Sequence, residues 1–170
     1  MSDISVRPAR VDELPAIGAL TIAAYRADGY LPESGDPTGY AATLSDADSR
    51  MRSAELLVAV DTTGTLLGTV TIALPGTPYA EISREGELEF RMLAVSTRAR
   101  NRGVGETLVR AVFTRARELA LPTIVLCSSR TMSTAHRLYE RLGFRRLPDR
   151  DWRPGPEVEL LAYAAPVPTS

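Results

Sequence analysis

Apolar and polar positions along this chain switch between two periods, and the switches outline its elements. Ile4-Ser-Val-Arg7 reads as a first short strand. From Val11 to Arg26, Leu14, Ile17, Leu20 and Ala24 recur at helical spacing, and Pro15 falls in the first turn, where it is tolerated. Gly29 to Gly39 is polar and punctuated by Pro32, Gly35 and Pro37, which predicts a loop before a second helix over Tyr40 to Arg52. Two apolar runs, Glu55 to Asp61 and Leu66 to Leu74, flank Thr62-Thr-Gly-Thr65 and predict a hairpin. After a long connection, Pro75 to Gly86, a central strand begins near Glu87.

The segment Leu88 to Gly105 runs from an apolar strand into a basic, glycine-punctuated turn and opens a helix. In that helix Leu108, Val112, Ala116 and Leu119 share a face, with Glu106, Arg110, Thr114 and Arg117 opposite. Pro122 ends it, and Ile124-Val-Leu-Cys127 follows as a uniformly apolar strand buried on both faces. The result is a β-α-β unit. A helix start offers unpaired backbone N–H groups and the positive end of the macrodipole, and Gly103 and Gly105 let the backbone approach an anion closely. This is the local chemistry of a diphosphate cradle. A further short helix, Met132 to Phe144, ends at Gly143, and Val158 to Tyr163 is a last strand.

Composition removes several rival functions. The chain has 170 residues, 44% of them hydrophobic, enough for one domain with its own core. With 20 basic against 21 acidic residues there is no electrostatic footprint for nucleic acid. One cysteine excludes an internal disulfide and fits a reducing, cytoplasmic setting, and one histidine with one cysteine cannot build a His/Cys zinc site. No apolar run approaches the ~20 residues of a membrane span, and Met1-Ser-Asp-Ile-Ser lacks the regions of a signal peptide.

Two motifs taken together point to a family. Arg100-x-x-Gly103-x-Gly105 and Ala135-x-x-Leu138-Tyr139-x-x-x-Gly143-Phe144, in this order and at this separation, resemble the GNAT superfamily of acetyl-CoA-dependent N-acetyltransferases. The resemblance is densest over Glu87 to Phe144. It implies an α/β fold with a central mixed sheet of about six to seven strands flanked by about four helices, a domain over residues 1–166, and a frayed tail over 167–170. It also implies acetyl-CoA as co-substrate, with no metal, and a small-molecule amine as partner; nucleic acid and membrane are not expected, and a homodimer stays open.

Residue by residue, the resemblance implies that backbone groups of Leu93, Ala94 and Val95 bind the pantetheine arm. Those of Arg100, Asn101, Arg102, Gly103, Val104 and Gly105, extended to Glu106 and Thr107, hold the diphosphate, with charge added by Arg98, Arg100 and Arg102. Tyr139 aligns with the tyrosine that faces the coenzyme sulfur and protonates the departing thiolate; its other reading is a packed aromatic on an amphipathic helix. An amine of pKa ~10 is mostly charged at neutral pH, so a proton route is needed. Glu89, six residues before Val95, is the expected base, and Glu87, on the same strand face, can share the task. Both carboxylates can also be read as solvating a strand end or pairing with Arg91.

One position departs from the family pattern. Met132 stands where an asparagine often contacts the pantetheine, leaving Ser133 or Thr134 to substitute. Cys127 reads as a buried strand residue, and His136 as a solvated one. The acceptor is expected between Tyr30 to Thr38 and Asp149 to Pro156, at a mouth made negative by Glu33, Asp36, Glu81, Glu85, Glu87 and Glu89 and walled by Trp152 and Tyr79. A protein N-terminal or lysine acetyltransferase and a non-catalytic acyl-CoA sensor are the alternative functions.

Overall fold

In the computed structural model, which describes residues 3–31, 39–156 and 158–169, the expected hairpin is present as β2 (Glu55–Val60) and β3 (Leu66–Ala73). The Asp61 carboxylate closes its turn by accepting the N–H groups of Thr63 and Thr65 at 2.9 and 3.0 Å. The chain divides into two compact units, one made of residues up to Ile72 together with Met92–Ala111, the other of Ala73–Arg91 and the residues from Val112 onward.

In the first unit β1 (Ser5–Pro8) pairs antiparallel with β2, and β2 with β3. Next to β3 lies the second half of β4 (Glu87–Val95). A Cβ on Gly68 would sit 2.8 Å from the Ala94 carbonyl oxygen and 3.0 Å from Leu108 and Val104, so glycine lets β3 pass beneath the start of the long helix. Helix α1 (Leu14–Ala27) follows a 3₁₀ turn at Val11–Glu13 and buries Leu14 and Ile17 against Leu56, Val58 and Val60.

The expected second helix is broken in two, α2 (Tyr40–Ser45) and α3 (Ala47–Ser53). Asp46 leaves helical geometry, and its carboxylate takes the Ser49 N–H at 3.0 Å and the Ser49 hydroxyl at 2.7 Å, capping a new helix instead of continuing the old one. Gly18 permits α1 to meet the end of α2, since a Cβ there would lie 2.4 Å from the Ser45 carbonyl oxygen.

Helix α4 (Val104–Glu118) begins in the first unit and ends in the second. In the second unit the first half of β4 pairs parallel with β5 (Thr123–Ser129), and β5 pairs antiparallel with β8 (Val158–Pro166) from Thr123↔Pro166 to Ser129↔Leu160. The short strands β6 (Arg145–Arg146) and β7 (Trp152–Gly155) also pair with β8. Helix α5 (Ser133–Arg141) lies between β5 and β6 in sequence and ends before Gly143 at φ +99°. The core of this unit is aromatic: Phe90 lies 5.7 Å from Tyr139 and 6.0 Å from Phe144, ring centre to ring centre, and Phe113 lies 5.6 Å from Phe144.

The fold is the expected mixed α/β arrangement, with eight strands and five helices among the described residues. The excess over the expected count comes from the cap at Asp46 and from β6 and β7, too short to carry a hydrophobic period. Val167 donates its N–H to the Pro122 carbonyl at 2.8 Å. Among the described residues no helix is long and apolar enough to cross a membrane.

Candidate active site

Strand alternation sets the chemistry of β4. Glu87, Glu89 and Arg91 leave one face; Leu88 and Phe90 leave the other. Glu89 is fully buried, and its Oε1 accepts three consecutive backbone N–H groups, from Glu81, Ile82 and Ser83, at 2.9, 3.0 and 3.0 Å. Glu87 accepts the next one, from Arg84, at 2.7 Å. Residues 81–84, read from the sequence as a plain connection, therefore form a nest of N–H groups closed on two carboxylates.

Arg150 faces Glu87 as a fork, Nη1 to Oε1 at 2.5 Å and Nη2 to Oε2 at 2.9 Å, with both side chains 14% exposed. Burial pushes the Glu87 carboxyl up, but the Arg150 fork, the Arg84 N–H and the neighbouring positive charge outweigh it and hold the group below its ordinary value. Arg91 is likewise engaged: Nε stands 3.1 Å from Glu81 Oε1, and Nη1 donates to the Tyr79 carbonyl at 3.1 Å. Burial raises the Glu81 carboxyl in spite of that partner.

The predicted negative mouth is thus largely neutralised, because Glu81 and Glu87 each carry an arginine. Glu85 is exposed, and Glu33 and Asp36 lie outside the described residues, as does most of the expected acceptor loop over Tyr30 to Thr38. What remains is Glu89 Oε2, buried and without a hydrogen-bond partner among the described residues; the neighbouring Ser83 hydroxyl is in the same state. Cys127 leaves β5 toward Glu81, Glu89 and Arg91, beside the Trp152 indole, and burial pushes its thiol up to about 12, which removes it as a nucleophile.

Tyr139 is on the other side of β4. Its ring packs against Phe90, at 5.9 Å from Phe144 and 6.2 Å from Tyr163. The structure brings Glu87 and Glu89 together and places Tyr139 apart from them, in the aromatic core. His136 corrects the solvated expectation: its Nε2 lies 3.0 Å from the Ser129 carbonyl and 3.1 Å from Ser128 Oγ, and burial lowers its pKa. A carbonyl only accepts, so Nε2 carries the proton and does not activate Ser128. The Ser128 hydroxyl donates instead to the Met132 sulfur at 3.5 Å, while Ser133 is exposed at the start of α5. Tyr163, whose hydroxyl is raised by burial and whose ring lies 5.3 Å from His136, had no local signal that could single it out.

In the first unit, β4 changes course at Met92, a non-glycine residue at φ +56° within a strand. The pairing of β4 with β5 covers Glu87 to Glu89, so Leu93, Ala94 and Val95 lie beyond it. Ser96 then returns its N–H to Leu67 at 2.8 Å, and Asn101 and Gly103 take φ of +63° and +76°. Thr107 donates its N–H at 3.0 Å and its hydroxyl at 2.8 Å to the Gly103 carbonyl, so the helix opens at Gly103 and the N–H groups of Val104 and Gly105 precede its first internal bond.

A Cβ on Gly103 would meet nothing within 4 Å, so the backbone there is open to a docking anion. The arginines around it are turned to carboxylates, Arg100 to Asp28 at 3.1 Å and Arg102 to Asp3 at 3.0 Å; Arg98 is exposed. Glu106 pairs along the helix with Arg110 at 3.2 Å. A cleft of about 380 Å³ beside this loop is lined by Asp61, Thr65, Ser96, Arg98 and Arg102, among others.

The sequence matches the acetyltransferase (GNAT) family over residues 21–144. Among solved structures, a GCN5-related N-acetyltransferase from Kribbella flavida is 25% identical, covering 96% of this chain and 98% of its own, with a TM-score of 0.68. A GNAT-family acetyltransferase from Staphylococcus aureus is 15% identical, with 97% and 99% coverage and a TM-score of 0.73. The ribosomal-protein-S18-alanine N-acetyltransferase of Escherichia coli is 14% identical, with 98% and 96% coverage and a TM-score of 0.67. No curated protein matches the sequence.

Proposed function

The chain belongs to the acetyltransferase (GNAT) family, and on that premise we propose that it transfers the acetyl group of acetyl-CoA directly to the primary amine of a small molecule, with both substrates bound together. The open backbone at Gly103 and the helix start at Val104 and Gly105 fit a diphosphate, and the backbone of Leu93 to Val95, beyond the β5 pairing, fits the pantetheine arm. Bound there, acetyl-CoA supplies an activated acyl group. The observation that carries the reading is Glu89 Oε2: a buried acceptor fixed through its sister oxygen, beside two arginines already committed to other carboxylates.

Such an oxygen calls for a hydrogen-bond donor of positive charge, which an ammonium provides and an alcohol does not. Glu89 takes the ammonium proton at Oε2, directly or through one water, leaving the neutral amine as nucleophile. Glu87, held by Arg150 and Arg84, supports this arrangement without carrying the proton. Tyr139 gives its hydroxyl proton to the departing thiolate; an ordinary phenol is protonated at neutral pH.

The test is calorimetry with acetyl-CoA, followed by a thiol-release screen against small amines, amino acids and N-terminal peptides. Binding with turnover of a small amine is expected. Turnover of peptides alone would move the acceptor to a protein, and no binding at millimolar acetyl-CoA would overturn the reading.

A further inference from the structure

We infer that Arg150 is a positioning residue for Glu89, acting through the backbone of residues 81–84; the inference rests on the proposed base role of Glu89. Arg150 Nη1 donates to two groups at once, Glu87 Oε1 at 2.5 Å and the Ile82 carbonyl at 3.2 Å. The Ile82 N–H in turn donates to Glu89 Oε1 at 3.0 Å. The Ser83 N–H donates there too, also at 3.0 Å, so the peptide joining Ile82 to Ser83 is gripped on its carbonyl side by Arg150 and on its N–H side by Glu89.

Arg150 is itself anchored. It closes the 3₁₀ turn Pro148–Arg150, and the next residue, Asp151, accepts the Ala162 N–H of β8 at 2.7 Å through one oxygen and pairs with Arg146 through the other. Hydrogen bonds therefore tie Asp151 to β8 and Arg150, its covalent neighbour, to the 81–84 nest, which closes on Glu89 Oε1. The direction of Oε2, the oxygen left for the amine, is set by those ties. The other nearby cation on this face, Arg91, is engaged by Glu81 and Tyr79. Lysine could meet Glu87 with a point charge, but it lacks the planar fork that holds both Glu87 oxygens while Nη1 also reaches Ile82.

Arg150→Met and Arg150→Lys are compared with the wild type and with Glu13→Gln, a control at an ion pair of similar burial in the first unit. Three readouts are taken: acetyl-CoA affinity by calorimetry, kcat with the best amine of the screen, and amide hydrogen exchange. Expected for Arg150→Met is a loss of ~10- to 100-fold in kcat, the scale of a misplaced reacting group. Acetyl-CoA affinity stays within about twofold, the control keeps wild-type kcat, and Arg150→Lys recovers part of the loss. Exchange at 81–83 rises at least about tenfold while the β5–β8 amides stay protected, as local opening requires.

Wild-type kcat in Arg150→Met, unchanged exchange at 81–83, or exchange raised throughout the second unit would each overturn the inference. Should no amine be turned over by the wild type, the catalytic reading fails by itself and the inference that rests on it falls too, whereas unchanged exchange with normal wild-type turnover removes the positioning role alone.

Discussion

The turn that opens α4 and the carboxylate face of β4 both gather backbone N–H groups, yet they are built in opposite ways. At Gly103 a Cβ would meet nothing within 4 Å, and the nearby arginines Arg100 and Arg102 are drawn to Asp28 and Asp3. On β4 Glu87 and Glu89 are already enclosed by the N–H groups of 81–84, and Arg91 and Arg150 each have a carboxylate. In the proposed reading the first device takes a ligand group that brings its own negative charge, and the second holds one of the protein's own anions at a fixed angle for the acceptor amine.

Removing the proposed proton donor is the strongest way to separate chemistry from binding. Tyr139→Phe is expected to lower kcat by ~10²- to 10⁴-fold with acetyl-CoA affinity unchanged, because the phenyl ring keeps the packing on Phe90 and Phe144. Undiminished turnover would show that Tyr139 serves packing only.

Two glycines sharpen the contrast between packing and docking. Gly68→Ala drives a Cβ into the Ala94 carbonyl, a backbone atom that cannot yield, and is expected to cost about 1–3 kcal/mol in urea unfolding. Gly103→Ala meets no atom, so its stability cost is that of its left-handed backbone, about 1 kcal/mol, while acetyl-CoA affinity falls because the methyl occupies the approach. Equal effects of the two changes on binding would break the distinction.

The smallest effect expected is electrostatic. Arg7 forks Glu13 at 2.9 and 2.7 Å and, with the Arg10 N–H, holds its carboxyl down at about 2 against the cost of burial. A depressed native value stabilises the fold above the unfolded carboxylate pKa and is lost as pH falls through the native one. Arg7→Met should therefore cost roughly 1 kcal/mol at pH 7, and the gap to wild type should close between pH ~4 and about 2, measured by urea unfolding across that range.

What the sequence made legible was local. The strand, turn and helix start from Leu88 to Gly105 lie within one stretch, so their spacing alone carries the geometry. The alternation along β4 likewise placed Glu87 and Glu89 on one face. The grip of Arg150 on Glu87 joins residues 63 apart, and no period records it. The nest at 81–84 was hidden because backbone donors have no letter of their own. Asp46 broke a helix whose apolar spacing looked continuous, and His136 was drawn inward by a carbonyl on β5, a partner its own helix cannot announce.

Neither compact unit is contiguous along the chain, and this matters during synthesis. The ribosome releases β1, α1 and the β2–β3 hairpin early, but the strand and helix that cover Gly68 arrive only with Ala94, Val104 and Leu108, after an excursion that belongs to the other unit. Until then the outer edge of β3 is an unpaired template for another nascent chain. At ~5–20 residues per second that interval lasts on the order of seconds, so the stretch from Ala73 to Ala111 is where the pace of translation bears on whether the polypeptide pairs with itself or with a neighbour.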